Sequence, residues 1–276
     1  METQRLKAFA RQGLLAVFAA LAVHAQAAAV ADVPATTKHF LWEVASLTNR
    51  IYLYGTIHAG RKEWFPLPAA IEDAFNDSAV LVVEADITDE GAARSAVEQT
   101  LARFGRLDTV VANAGVMLLG PIENAPIQEW QRMVDTNVLG LLYTAHAALP
   151  HLLQAASGEP RQVADLVLIS SVAGRVPRNG SGVYNLTKHG VGAFGEALRQ
   201  EVTKRHVRVS LIEPGAVATE LAGHNRPEVQ ETMRARFQTM ERMEAVDIAE
   251  TIGFVVTRPR RVAINEVLIR PTEQEQ

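Results

Sequence analysis

The sequence predicts an α/β fold: a doubly wound, mostly parallel sheet, opened by an atypical N-terminal β-hairpin/βαβ segment. Three observations lead there. Short, mostly apolar runs recur at 79–87 ("AVLVVEADI"), 107–115 ("LDTVVANAG"), 164–171 ("ADLVLISS") and 207–215 ("VRVSLIEPG"). Such runs suit strands covered on both faces. Helix-length amphipathic stretches alternate with them, as a parallel sheet wound on both sides requires. The chain has 276 residues, 48% of them hydrophobic, enough for one large α/β domain.

The elements follow in order. "FLWEVA" (40–45) and "RIYLYGTIH" (50–58) read as two strands around the turn "SLTN". "LPAAIEDAF" (67–75) is a short helix, and the run 79–87 a buried strand ending in acids. "DEGAARSAVEQTLARFG" (89–105) is an amphipathic helix and 107–115 a strand stopped by glycine. A long helix is expected over 127–156, with Pro150 near its end, then the strand 164–171. The helix 181–205, the strand 207–215, the helix 245–259 and a last strand 262–271 complete the alternation. Residues 51–57, 67–75 and 79–86 have the lengths of a βαβ unit that would place the first strand beside 107–112.

Composition narrows the function classes. A net charge of -4 gives no reason to expect nucleic acid or an anionic membrane as partner. With no cysteine, disulfides, thiolate nucleophiles and cysteine zinc sites are excluded. The N-terminus carries Arg5, Lys7 and Arg11, then "GLLAVFAALAV", then a small-x-small site at 25–27. This is the layout of a secretory signal peptide over residues 1–27, with an apolar core too short for a stable membrane span.

One stretch carries chemistry. In "SSVAGRVPRNGSGVYNLTKHG" (170–190), Tyr184 and Lys188 are four apart and share a helix face. Ser171 ends the preceding strand, at the carboxyl edge where open α/β sheets bind ligands. A free tyrosine, with a pKa of about 10, is a poor base near neutrality. A neighbouring ammonium is expected to lower that value. With a serine hydroxyl to hold a substrate oxygen, the set suits proton transfer to or from an alcohol or carbonyl. A Tyr-x-x-x-Lys pair alone is common on helix surfaces; here "NAG" (113–115), Asn137 and "PGAVAT" (214–219) accompany it at fitting places.

From about Asp86 onward, "ADITD", "ANAG", "DTNVLG", "LISSVAGR", "YNLTK" and "IEPGAVATE" occur in the order of the classical short-chain dehydrogenase/reductase family, which the chain closely resembles over 80–276. The resemblance implies a Rossmann-like domain and an NAD(P)-dependent oxidoreductase of a small alcohol or carbonyl. It implies Tyr184 as acid/base, Lys188 lowering its pKa and holding the nicotinamide ribose, and Ser171 orienting the substrate. Asn137 would support a proton-relay water by bending its helix. Asp86 and Ile87 would border the adenine, Asn113, Ala114 and Gly115 would line the cofactor cleft, and Pro214, Gly215 and Thr219 would lie along the nicotinamide. Asp86 equally suits a cap for the next helix. The tail "INEVLIRPTEQE" resembles a subgroup that uses NADP more than NAD, and residues 220–243 resemble the family's substrate-covering segment. Dimers or tetramers built on helices 127–156 and 181–205 are a further implication of the family.

The family opens with a glycine-rich phosphate loop, and "YLYGTIHAG" (52–60) stands where one is needed. From Gly55 the spacing asks for glycine at 59 and 61, but the chain has Ala59 and Arg61. Losing two or three charge-assisted backbone contacts to a pyrophosphate costs about 3–6 kcal/mol, roughly a hundred- to ten-thousandfold in affinity. Residues about 38–87 are similar instead to the start of the TraB/GumN family, exported or membrane-associated metal-dependent hydrolases, with Gly55, His58 and Glu84 matching its first motif and strand-end acid, which marks 28–79 as a separate N-terminal segment. That family's second Gly-x-x-His is absent, and one histidine with one glutamate is too small a ligand set, so no metal site is expected. Three functions therefore stand side by side: a dehydrogenase/reductase, an exported hydrolase, and a silent hybrid. The signal peptide points to export, and the nicotinamide chemistry to the cytoplasm.

Overall fold

The computed structural model describes residues 41–45 and 50–54 as backbone, and residues 85–237 and 239–275. The expected signal peptide, the "SLTN" turn, the helix 67–75, most of the strand 79–87, and His58 and Glu84 lie outside the described residues.

Strands β1 (Leu41–Ala45) and β2 (Arg50–Tyr54) pair antiparallel, Leu41 opposite Tyr54 and Ala45 opposite Arg50. This is the expected hairpin. The expected pairing of residues 51–57 beside 107–112 is corrected, because β2 takes β1 as its partner in a two-stranded sheet of its own. Four intervening residues bring β1 and β2 together at far less loop-closure entropy than a crossover would cost.

Residues 85–276 belong to a second unit. Helix α1 (Glu90–Phe104) starts at Asp89, whose carboxylate accepts from the Ala92 N–H at 2.6 Å. It ends at Gly105, which takes φ of 75° and donates to the Leu101 carbonyl. That left-handed φ is what makes glycine the fitting residue there. Strand β3 (Thr109–Ala112) follows. The expected helix 127–156 is a continuous helical run with an interruption: α2 (Ile127–Val134), a π-helical turn (Asp135–Gly140), then α3 (Leu141–Ser157), which passes through Pro150.

Strand β4 (Ala164–Ile169), helix α4 (Gly182–Val202) and strand β5 (Val207–Pro214) fall where the sequence places them. A 3₁₀ turn (Glu220–His224) and helix α5 (Pro227–Phe237) fill the expected substrate-covering segment. Helix α6 (Ala245–Val256) begins with a Glu244/Asp247 capping box. Strand β6 (Glu266–Ile269) is shorter than the expected 262–271. Residues 259–262 close a turn instead, with the Val262 N–H donating to the Pro259 carbonyl at 2.8 Å.

The sheet runs β3-β4-β5-β6, every pair parallel, with Thr109 beside Asp165, Ala164 beside Val207 and Leu211 beside Glu266. Alternate residues of β4 serve opposite faces. Leu166 and Leu168 pack with α3 and α4, among Leu152, Val191 and Leu198. Val167 packs with Ile212 and the α6 residues Val255 and Val256. Each fully buried side chain of this size contributes about 1.5–3 kcal/mol of apolar transfer. At the amino end of the sheet, buried Asp165 accepts from Arg208 at 2.6 and 3.0 Å and from Arg161 at 2.8 Å. Arg208 also donates to the Val256, Arg258 and Val262 carbonyls, fastening the end of α6 and the loop after it. The carboxyl ends of β3, β4 and β5 are left for the site. Among the described residues, no helix is long and apolar enough to cross a membrane.

Candidate active site

Ser171 leaves the carboxyl end of β4 and caps the 3₁₀ turn Val172–Gly174 by accepting from the Ala173 N–H at 3.1 Å. Two contacts bring α4 against this turn. The buried Ser170 hydroxyl donates to the Lys188 carbonyl at 3.0 Å. At Gly174, a Cβ would stand 2.7 Å from Ser170 Oγ and 2.9 Å from the Lys188 carbonyl oxygen, so this close approach needs glycine. Asn185 fixes the first turn of α4: its amide donates to the Ala173 and Val176 carbonyls at 2.6 and 3.1 Å.

These restraints aim Tyr184 and Lys188. The Tyr184 hydroxyl faces that of Ser171 closely enough for Ser171 to favour the phenolate. The Lys188 Nζ lies 5.8 Å from the centre of the Tyr184 ring and donates to the Ile169 carbonyl at 2.9 Å. Both side chains are buried, at 6% and 5% exposure. Burial decides their ionisation. It pushes the Tyr184 phenol up to about 12, an effect only partly offset by the Ser171 hydroxyl. It pushes the Lys188 amine down to about 8. Desolvation of the phenolate outweighs the favourable Ser171 hydroxyl, so the net shift of Tyr184 is upward. At neutral pH the site holds a protonated phenol beside an amine that remains mostly cationic.

Asn137 stands in the π-helical turn and is buried. Its Oδ1 accepts from the Val116 N–H at 2.8 Å, and its Nδ2 donates to the Val116 carbonyl at 2.8 Å and to Thr187 Oγ1 at 3.2 Å. Thr187 in turn donates to the Tyr184 carbonyl at 2.8 Å. Asn137 and Tyr184 are thus joined through Thr187, a residue that the sequence reading passed over. A helical threonine three positions after the tyrosine was the available signal, since its hydroxyl reaches back to an i−3 or i−4 carbonyl.

The remaining expected residues divide. Gly115 belongs to the cluster: a Cβ there would stand 3.2 Å from Asn137 Oδ1 and 3.7 Å from Lys188 Nζ. Asn113 is exposed and Ala114 half-buried beside it. Pro214 sits at the end of β5, its carbonyl 3.4 Å from the Ser171 hydroxyl. Gly215 is covered by the C-terminal tail, where Gln274 Oε1 accepts from the Ala216 N–H at 2.8 Å. Thr219 makes a local contact, capping the turn that follows through Leu221 N–H. Asp86 accepts from the Thr88 N–H and hydroxyl at 3.0 and 2.7 Å, while Asp89 caps α1. The Ile87 side chain is buried against Gly140, which leaves its backbone for any contact with an adenine. His189 is exposed and bonds within its own helix, to the Asn185 carbonyl at 2.9 Å. Among the described residues no three histidine, aspartate or glutamate side chains gather as a metal site.

Comparison with known proteins gives a consistent set of matches. Residues 62–230 match the short chain dehydrogenase family, a match that begins upstream of position 80. An uncharacterized oxidoreductase of Staphylococcus aureus (strain USA300) is 32% identical over 201 residues, covering 73% of this chain and 80% of the relative. Among solved structures, the closed form of serine dehydrogenase complexed with NADP+ superposes with a TM-score of 0.64 at 28% identity, covering 76% of this chain and 84% of that one. The 3-ketoacyl-(acyl-carrier-protein) reductase of Brucella melitensis complexed with NADH gives 0.61 at 25% identity, covering 73% and 82%.

Proposed function

Because the chain belongs to the short-chain dehydrogenase family, we propose that this oxidoreductase interconverts a hydroxyl and a carbonyl on a small molecule with a nicotinamide cofactor. The observation that carries this reading is the buried Tyr184–Ser171 hydroxyl pair with the Lys188 amine one helical turn away. A neutral phenol and a cationic amine suit the reductive direction. Ser171 and Tyr184 would hold the carbonyl oxygen between two hydroxyls. As charge develops on that oxygen, the Tyr184 proton moves to it. The phenolate left behind is stabilised by the Ser171 hydroxyl and the Lys188 ammonium, and the reverse proton path serves alcohol oxidation.

The described residues fit the nicotinamide half of such a cofactor. The bare Gly115 opens onto Asn137 Oδ1 and Lys188 Nζ, an approach that any Cβ would narrow. Lys188, with one proton already given to Ile169, has others to offer ribose hydroxyls. Asn113, Ala114 and Gly115 would line the cleft, and Pro214, Gly215 and Thr219 the nicotinamide side. Asp86 and the Ile87 backbone would border the adenine. When bound, the nicotinamide supplies or accepts the hydride. NADPH is the first form to test, on the resemblance of the tail, with NADH beside it; titration of the full chain followed by cofactor fluorescence is the assay. Saturable binding below about 1 mM, with carbonyl reduction falling at least about a hundredfold in Tyr184→Phe, is the expected result. Failure of a cooperatively melting protein to bind either form would refute the reading.

A further inference from the structure

After β3 ends at Ala112, residues 116–120 pass the site outside any strand or helix of the described residues. Their backbone groups are met by other means. Asn137 takes both polar groups of Val116. Three residues on, a second asparagine repeats the arrangement from the substrate-covering segment. Asn225 Oδ1 accepts from the Leu119 N–H at 2.7 Å, and its Nδ2 donates to the Met117 carbonyl at 2.9 Å and to the Ala222 carbonyl at 3.1 Å. Asn225 is buried, and its own carbonyl accepts from Gln230 Nε2 at 2.7 Å, which closes the turn ahead of α5. The Gly120 N–H then donates to the Gly180 carbonyl at 2.8 Å, just ahead of α4. Inside this strap, Val116 and Leu118 pack with Met133 against Tyr184.

We infer that Asn225 is a positioning residue: it latches the substrate-covering segment to the strap 116–120, and through Val116 and Leu118 it holds the wall that encloses Tyr184. Both ends of the amide are needed, because a side chain that only accepts leaves the Met117 carbonyl without its donor. Opening the segment strips two backbone groups of their partners and loosens one side of the Tyr184 enclosure. Its consequence for turnover rests on the role given to Tyr184 above, whereas the latch itself does not.

Hydrogen exchange on the full chain without cofactor tests it, using Asn225→Ala, Asn225→Asp and Gln230→Ala. In Asn225→Ala, peptides spanning 116–120 and 219–226 should both exchange about tenfold faster, while the α1 peptide keeps its wild-type rate. Asn225→Asp retains the acceptor for Leu119 N–H and should fall between the two. Gln230→Ala loosens the 223–230 turn and should leave 116–120 at the wild-type rate. Acceleration at 219–226 with no change at 116–120, in Asn225→Ala or Asn225→Asp, overturns the inference. So does equal acceleration of 116–120 by Gln230→Ala. Should Asn225→Ala fail to fold, Asn225→Asp against Gln230→Ala decides on the same terms. Exchange needs neither cofactor nor turnover, so an inactive protein with an intact latch would count against the proposed function alone.

Discussion

Lys188→Met should make the protein more stable at neutral pH while disabling it. Lys188 is buried, and burial lowers its pKa from 10.5 to about 8. That difference corresponds to about 3 kcal/mol against the charged amine in the fold. Below pH 8 the amine is charged in both folded and unfolded chains, so the penalty is present in full. Between pH 8 and 10.5 the folded chain binds fewer protons than the unfolded one, so wild-type stability rises with pH as the penalty fades. Methionine fills nearly the same volume without the charge, and it gives up the bond to the Ile169 carbonyl, worth about 1 kcal/mol. The net gain near pH 7 is about 2 kcal/mol, or about 4–8 °C in melting temperature for a domain of this size. Thermal melts of both proteins from pH 6 to 10.5 are the assay. The gap should favour the mutant at pH 7, shrink above pH 8 and vanish or reverse near 10.5. A mutant that melts below wild type at pH 7, by an amount independent of pH, would refute the reasoning that this amine is held charged at a cost.

Other outcomes follow from particular contacts. Gly140→Val should destabilise by at least about 1–3 kcal/mol, because even a Cβ there stands 2.0 Å from Ile87 Cδ1; denaturant melts measure it. Asp165→Ala should cost about 3–5 kcal/mol, since Arg208 is left buried with only backbone acceptors; the urea midpoint should fall with its slope unchanged. Asn137→Ala should lose at least about tenfold in carbonyl reduction with NADPH, as the Val116 backbone and Thr187 both lose their amide partner.

The recurring apolar runs made the central sheet legible, because strands buried on both faces are mostly apolar along their length. Tyr184, Lys188 and Ser171 were legible for a related reason: helix spacing fixes two of them on one face, and the strand end fixes the third. Ionisation was not legible. The spacing of Tyr184 and Lys188 says that an ammonium is near, but not that Val116, Leu118 and Met133 close over the ring and raise its pKa instead. Thr187 and Asn225 escaped for the same kind of reason, since their partners are backbone groups of residues that come close only in the fold. The expected last strand is longer than the observed one because "VAINEVLIRP" is mostly apolar and β-branched, whereas pairing with β5 covers only Glu266–Ile269.

The π-helical turn does more than seat Asn137. An α-helix advances about 100° per residue, so Met133 and Ala145, twelve positions apart, would face directions about 120° different on an unbroken helix. A π turn absorbs one extra residue, which reduces the effective separation to eleven positions and the angular difference to about 20°. Met133 then falls in phase with Leu141, Ala145, Ala148 and Leu152, the buried stripe of the following helix. The single surplus residue keeps one apolar seam continuous across two helices that serve different cores. Deleting Val138 would leave Met133 and Ala145 eleven positions apart on a regular helix, so the seam would stay in phase while the bulge that seats Asn137 is lost.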